Sequence, residues 1–102
     1  MKAILLSYKG GKFVNEKTGE LIDWEKIIVS STEQVEESGD SNYLYGYDVA
    51  EISIPRRGFT TQRGDLRRLI GKPVDLIYDQ VFGRKNPVLI SVKALDDEKD
   101  NL

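Results

Sequence analysis

The chain has no cysteine and no histidine among its 102 residues. Without cysteine there is no disulfide, no thiol nucleophile and no thiolate ligand. Without histidine the commonest general base and the commonest transition-metal ligand are missing. A Ser–His–Asp triad, a Cys–His pair and a zinc site of the usual kind are excluded. Long apolar runs are missing too, and no stretch approaches the roughly 18 residues a membrane-spanning helix needs. The N-terminal "MKAILLSYKG" is too short for a signal-peptide core, with no small-residue cleavage site after it. It reads as a strand, and the expected location is cytoplasmic, away from membranes. Carboxylates are plentiful, but they fall in loops and at alternating positions, without the paired spacing of acid–base or metal chemistry. The expectation is a protein that is not an enzyme and uses no cofactor and no metal.

What is present is an uneven charge distribution. The net charge is −2 overall, but residues 1–54 hold five lysines against ten acids. Residues 55–95 hold nine lysines and arginines against three acids, and residues 96–102 hold four acids and one lysine. A near-neutral chain with one basic block and an acidic end points to a local anionic partner.

Hydrophobic alternation and turn residues divide the chain further. "KAILLSY" (2–8) reads as a strand, "KGGK" (9–12) as a turn, and Lys17, Thr18 and Gly19 as a second turn. "WEKIIVSS" (24–31) is a strand, and the polar "TEQVEESGDSN" (32–42) a loop. Residues 43–54 form a long strand that Pro55 ends. "DLRRLIGKP" gives a short helix near 65–70, with Asp65 as N-cap and Gly71 as stop. Strands over 74–81 and 88–95 follow, joined by the hairpin loop 82–87. The expected architecture is mainly β: a five-stranded barrel with one short helix between strands 3 and 4. It forms a single domain over residues 1–95, and residues 96–102 form an acidic tail outside it.

This order resembles the OB-fold. The resemblance rests chiefly on the second half: the helix "DLRRLIG", then "KPVDLIYD", the hairpin "QVFGRKNP" and "VLISVKAL". In architecture and residue character, residues 1–95 are similar to the small single-stranded DNA-binding proteins of phages, plasmids and conjugative elements, including helix-destabilising proteins. The resemblance implies nucleic acid on the barrel face around strands 2 and 3, in support of replication or transfer of a mobile element.

Particular residues carry that chemistry. Tyr43, Tyr45 and Tyr47 recur at every second position. Alternation sets them opposite Ala50, Ile52 and Ile54, on the outward face. Bases stack on exposed rings without sequence preference. Tyrosine also favours strands for cross-strand packing, and a bulge at Gly46 would swing Tyr43 and Tyr45 inward. Arg56, Arg57 and Arg63 follow the tyrosines, with Phe59 among them; Arg84 and Lys85 sit beside Phe82 in the last hairpin. Arginine pairs phosphates bidentately and stacks on bases. Lys12 belongs to a basic turn, and Trp24 is either core or a stacking platform.

The expected partner is single-stranded DNA, bound by phosphate neutralisation and base stacking. The composition does not choose DNA over RNA, and it is compatible with a homodimer. The acidic tail is a candidate contact for a replication protein. The alternative class is a protein-interaction module, such as a replication accessory factor or a phage-encoded inhibitor of a host protein, using the acidic loop and tail.

Overall fold

The computed structural model describes residues 1–80, 82–83 and 85–95. Seven strands and one helix appear in the order β1 (Lys2–Val14), β2 (Leu21–Ser30), β3 (Val35–Ser38), β4 (Tyr43–Gly46), β5 (Val49–Ser53), α1 (Arg63–Arg68), β6 (Pro73–Asp79) and β7 (Val88–Ala94). Five of them make an antiparallel sheet in the order β5-β2-β1-β6-β7, and β3 and β4 pair only with each other. Among the described residues no helix is long and apolar enough to cross a membrane.

The core is one apolar cluster between the curled sheet and α1. Ala3, Leu5, Ile27, Val29, Val74, Leu76, Leu89 and Val92 come from the strands β1, β2, β6 and β7. Leu66 from α1 and Ile54 after β5 complete it. Alternation explains the choice: Leu5, Ile27 and Leu76 are buried while Leu6, Lys26 and Asp75 are not, as a pleated strand with one wet face requires. The register of β1 shifts between Leu5 and Ser7. At that bulge Leu5 turns its backbone away from β2: its N–H donates to Lys72 O (3.1 Å) and its C=O accepts from Gly71 N–H (2.6 Å). These bonds fasten the exit of α1 to the first strand.

Several expectations need correction. The barrel is not closed, because β5 and β7 are the two edges of the sheet and share no ladder. The segment Thr60–Thr61 spans part of that gap instead: Thr60 N–H donates to Ile90 O (2.8 Å), Val92 N–H donates to Thr61 Oγ1 (2.8 Å), and Thr61 Oγ1 donates to Val92 O (3.1 Å). The described residues hold seven strands, not five, so the helix follows β5 and precedes β6 rather than lying between strands 3 and 4. The extra strands arise from residues 32–54. The polar segment expected as a loop contains β3, and the long strand expected over 43–54 breaks in two after Gly46, whose φ of 126° suits only glycine.

"KGGK" is no turn. Gly10 and Gly11 are extended and pair with Glu25 and Trp24 in the middle of a long β1–β2 hairpin. The chain reverses at 15–20 instead, where Asn15 O accepts from Gly19 N–H (2.7 Å) and Asn15 Oδ1 from Lys17 N–H (2.9 Å), an Asx-type turn. The helix also begins earlier than expected. Gln62 is its N-cap and makes no side-chain cap bond; Asp65 lies inside the first turn, where its charge favours the helix dipole, and pairs with Arg68 at 3.6 Å.

Candidate functional site

Residues directly opposite in an antiparallel pair share a face. In the β1–β2 hairpin, Tyr8 and Ile27 face the core, so the neighbouring pairs Lys9–Lys26 and Gly11–Trp24 face outward. On β5, Glu51 and Ser53 are on that same outward face. The resulting patch centres on Trp24, which is 36% exposed. Glycine at position 11 lets the indole lie across it: a Cβ there would meet ring atoms at 3.0 Å, and the ring would have to shift. Lys26 Nζ stands over the indole, 5.5 Å from its centroid, a cation–π geometry.

Glu51 sits between two lysines, with Lys9 Nζ at 3.2 Å and Lys26 Nζ at 3.4 Å. The hydrogen bond from Lys9, then that from Lys26, holds its carboxyl below the ordinary glutamate range. Two like charges directly across a strand pair repel; Glu51 relieves that, at the cost of part of the patch's positive potential.

Beyond β5 the chain stays close to β2, as Ile54 N–H donates to Glu25 O (2.9 Å). Arg56 and Arg57 follow two residues later, both exposed, and neither forms an ion pair with a described residue. They leave β5 at the Trp24 end of β2. Lys12, paired with Asp23, belongs to the opposite face of the hairpin from Trp24.

Arg63 and Phe59 are placed differently. Phe59 packs against the core, and the Arg63 guanidinium lies 5.0 Å from its ring. Arg63 Nη2 pairs with Glu25 Oε1 at 2.8 Å, Nε donates to both oxygens of the same carboxylate, and Nη1 donates to Thr61 O. Tyr8 Oη donates to Glu25 Oε2. Arg63 and Tyr8 thus hold the Glu25 carboxyl below its ordinary range, Arg63 more strongly, while the bond to Glu25 raises the Tyr8 phenol. Arg63 is committed to an internal clamp that ties the basic segment to β2.

The tyrosines lie elsewhere again. Tyr43, Tyr45 and Tyr47 are 74%, 61% and 53% exposed. The rings of Tyr43 and Tyr45 are 5.8 Å apart and tilted by 36°. They stand on the β3–β4 arm, which leaves the sheet at the end where Ser30 pairs with Val49. Arg56 and Arg57 leave from the other end, where Lys26 pairs with Ser53. β5 separates the two groups, so they do not form one continuous groove. The arm also surrounds its rings with charge: residues 31–48 hold five carboxylates and no lysine or arginine. In the last hairpin Phe82 and Lys85 are exposed; Arg84 and the tail 96–102 lie outside the described residues.

The structure therefore brings Trp24 close to the start of the arginine segment, engages Phe59 and Arg63 in a clamp, and sets the tyrosines apart. Lys26 and Glu51 were not singled out from the sequence. A hairpin centred on Lys17 and Thr18, without the glycine turn, would have set Lys9 opposite Lys26; Glu51 follows only from the register of β5 on β2. Comparison of this chain with known protein families, characterised proteins and solved structures finds no match.

Proposed function

We propose that the protein binds single-stranded nucleic acid, DNA above all, on the outward face of β1, β2 and β5. The observation that carries this reading is Trp24, 36% exposed on the same face as Lys9 and Lys26, beside the end of β5 from which Arg56 and Arg57 emerge. A base stacking on an aromatic ring contributes about 1–3 kcal/mol, and the cations neutralise the phosphates on either side. The main sheet supports an OB-like reading as well: of its five strands in chain order, α1 follows the third, and the patch lies around the second and third. The tyrosine pair offers further stacking area, but five carboxylates around it oppose a phosphate backbone, so Trp24 and not Tyr45 is the main platform. A role in replication or transfer of a mobile element goes with this reading.

The test is a titration of tryptophan fluorescence with oligo-dT at two salt concentrations. Quenching that weakens as salt rises is expected; an unchanged spectrum at low salt would overturn the proposal. A second reading, a protein-interaction module, is favoured by one observation: the arm carries three exposed rings and a uniformly negative charge, which suits a basic protein surface.

A further inference from the structure

β5 is an edge strand. Its one partner is β2, and its other side carries no ladder among the described residues. An open edge is a template for another strand unless something covers it. The two segments that flank this edge are opposite in charge. The arm side, residues 31–48, has five carboxylates and no cation; the other side, residues 54–72, has six lysines and arginines and one carboxylate. Net −5 at one end of β5 meets net +5 at the other.

We propose that the edge is covered by a second copy of this chain, related by a two-fold axis, with the two β5 strands antiparallel and each arm lying on the basic segment of the other copy. Polarity selects this arrangement. Antiparallel alignment of two identical edges brings each acidic arm to a basic segment twice, whereas parallel alignment sets like charges together. A two-fold contact is self-complementary and closes on itself. The chemistry of the two surfaces also matches. Among the described residues Arg56, Arg57 and Arg67 are exposed and have no carboxylate partner. Guanidinium groups pair bidentately with carboxylates such as Glu36 and stack on the faces of rings such as Tyr43 and Tyr45, which share one face of the arm with Glu36. Within one copy the arm and the basic segment leave opposite ends of β5, and no ion pair joins them among the described residues. The arrangement does not depend on nucleic-acid binding. Where both occur, they compete for Arg56 and Arg57.

A charge-swap experiment by sedimentation velocity tests the arrangement. One variant carries Glu36→Lys, Glu37→Lys and Asp40→Lys, which moves the arm to net +1; another carries Arg56→Glu, Arg57→Glu and Arg67→Glu, which moves the basic segment to net −1. All six positions are exposed, and circular dichroism checks that each variant is folded. The parent is expected to sediment as a dimer at low salt and as a monomer at high salt. Each variant alone is expected to be monomeric, and an equal mixture of the two to recover the dimer, since both contacts are then attractive. A parent that is monomeric at low salt, a variant that still dimerises, a folded mixture that stays monomeric, or species growing beyond a dimer with concentration would each overturn the arrangement. Oligo-dT affinity of the parent is measured separately, so the dimer and the nucleic-acid reading fail independently.

Discussion

Residues 31–48 and residues 54–72 flank the same strand, yet only the second is built into the body of the protein. Ile54, Phe59 and Leu66 reach the core, Thr60 and Thr61 bond to β7, and Arg63 is clamped by Glu25. The arm has none of this. β3 and β4 bond to each other, and no arm residue belongs to the core cluster. The arm keeps its rings in water and its carboxylates without internal cations. The basic segment can thus hold charge in a set geometry, whereas the arm offers an adaptable surface whose shape is completed by what it meets. Sequence proximity to the same strand does not make two polar groups one site.

The sharpest way to break this contrast is to truncate one apolar side chain in each. Leu66→Ala removes a fully buried side chain, and chemical denaturation should show a loss of about 2–5 kcal/mol. Leu44→Ala, on the arm, should cost well under half as much. Equal losses would mean that the arm is part of the cooperative unit. Next in size is binding. Trp24→Ala should weaken oligo-dT binding by about 1–3 kcal/mol, while Tyr45→Ala should leave stability within about 0.5 kcal/mol of the parent and change affinity less than Trp24→Ala does. The opposite ranking would make the arm the principal stacking surface.

A smaller effect separates the two regions by salt. The double variant Arg56→Ala/Arg57→Ala should bind all sequences more weakly and flatten the salt slope by roughly 0.7 for each phosphate that is no longer neutralised. Glu51→Gln should do the reverse, freeing Lys9 and Lys26 and steepening the slope; an unchanged slope would remove the outward face of β5 from the interface. The smallest effect is with pH. The Glu25 carboxyl is lowered in the fold relative to its ordinary value of 4.5, chiefly by Arg63. Its stabilising contribution is therefore present above that value and lost as pH falls through the lower, folded one. Acid should loosen the Thr61–Arg63 region first in amide hydrogen exchange, and Glu25→Gln should abolish that acid step.

Much of the body was legible. The strands at 2–8, 24–31, 74–81 and 88–95 show as apolar and β-branched runs between turn signals, and the structure has a strand at each, with β1 running on to Val14 and β2 starting at Leu21. Tyr43, Tyr45 and Tyr47 are exposed as expected, but because they stand on an arm that leaves the sheet, not through alternation along one strand over 43–54. Gly10 and Gly11 misled because paired glycines suit turns; here they serve close approach, with Trp24 lying over Gly11, and nothing local in "KGGK" distinguishes the two uses. β3 was hidden because "VEES" has no apolar face to bury; it pairs only because Tyr43–Gly46 returns alongside it. The clamp on Arg63 was illegible for a different reason: Glu25 is 38 residues away in sequence, and only the fold brings the two charges together.

The strap of Thr60 and Thr61 on β7 has a consequence for how the chain reaches this shape. Its hydrogen bonds join residues 30 and 31 positions apart, so they form only after a long loop has closed, and such contacts slow folding. A nascent chain has already emitted the arm, the basic segment and α1 when β7 is still inside the ribosome. Until Val88–Ala94 emerges, Thr61 has no partner strand and the arginine-bearing segment has no fixed position. Docking of the last strand is thus the step that converts a loose cationic loop into a shaped surface, and a chain cut before Val88 should retain the β1–β2 hairpin while losing protection at residues 60–63.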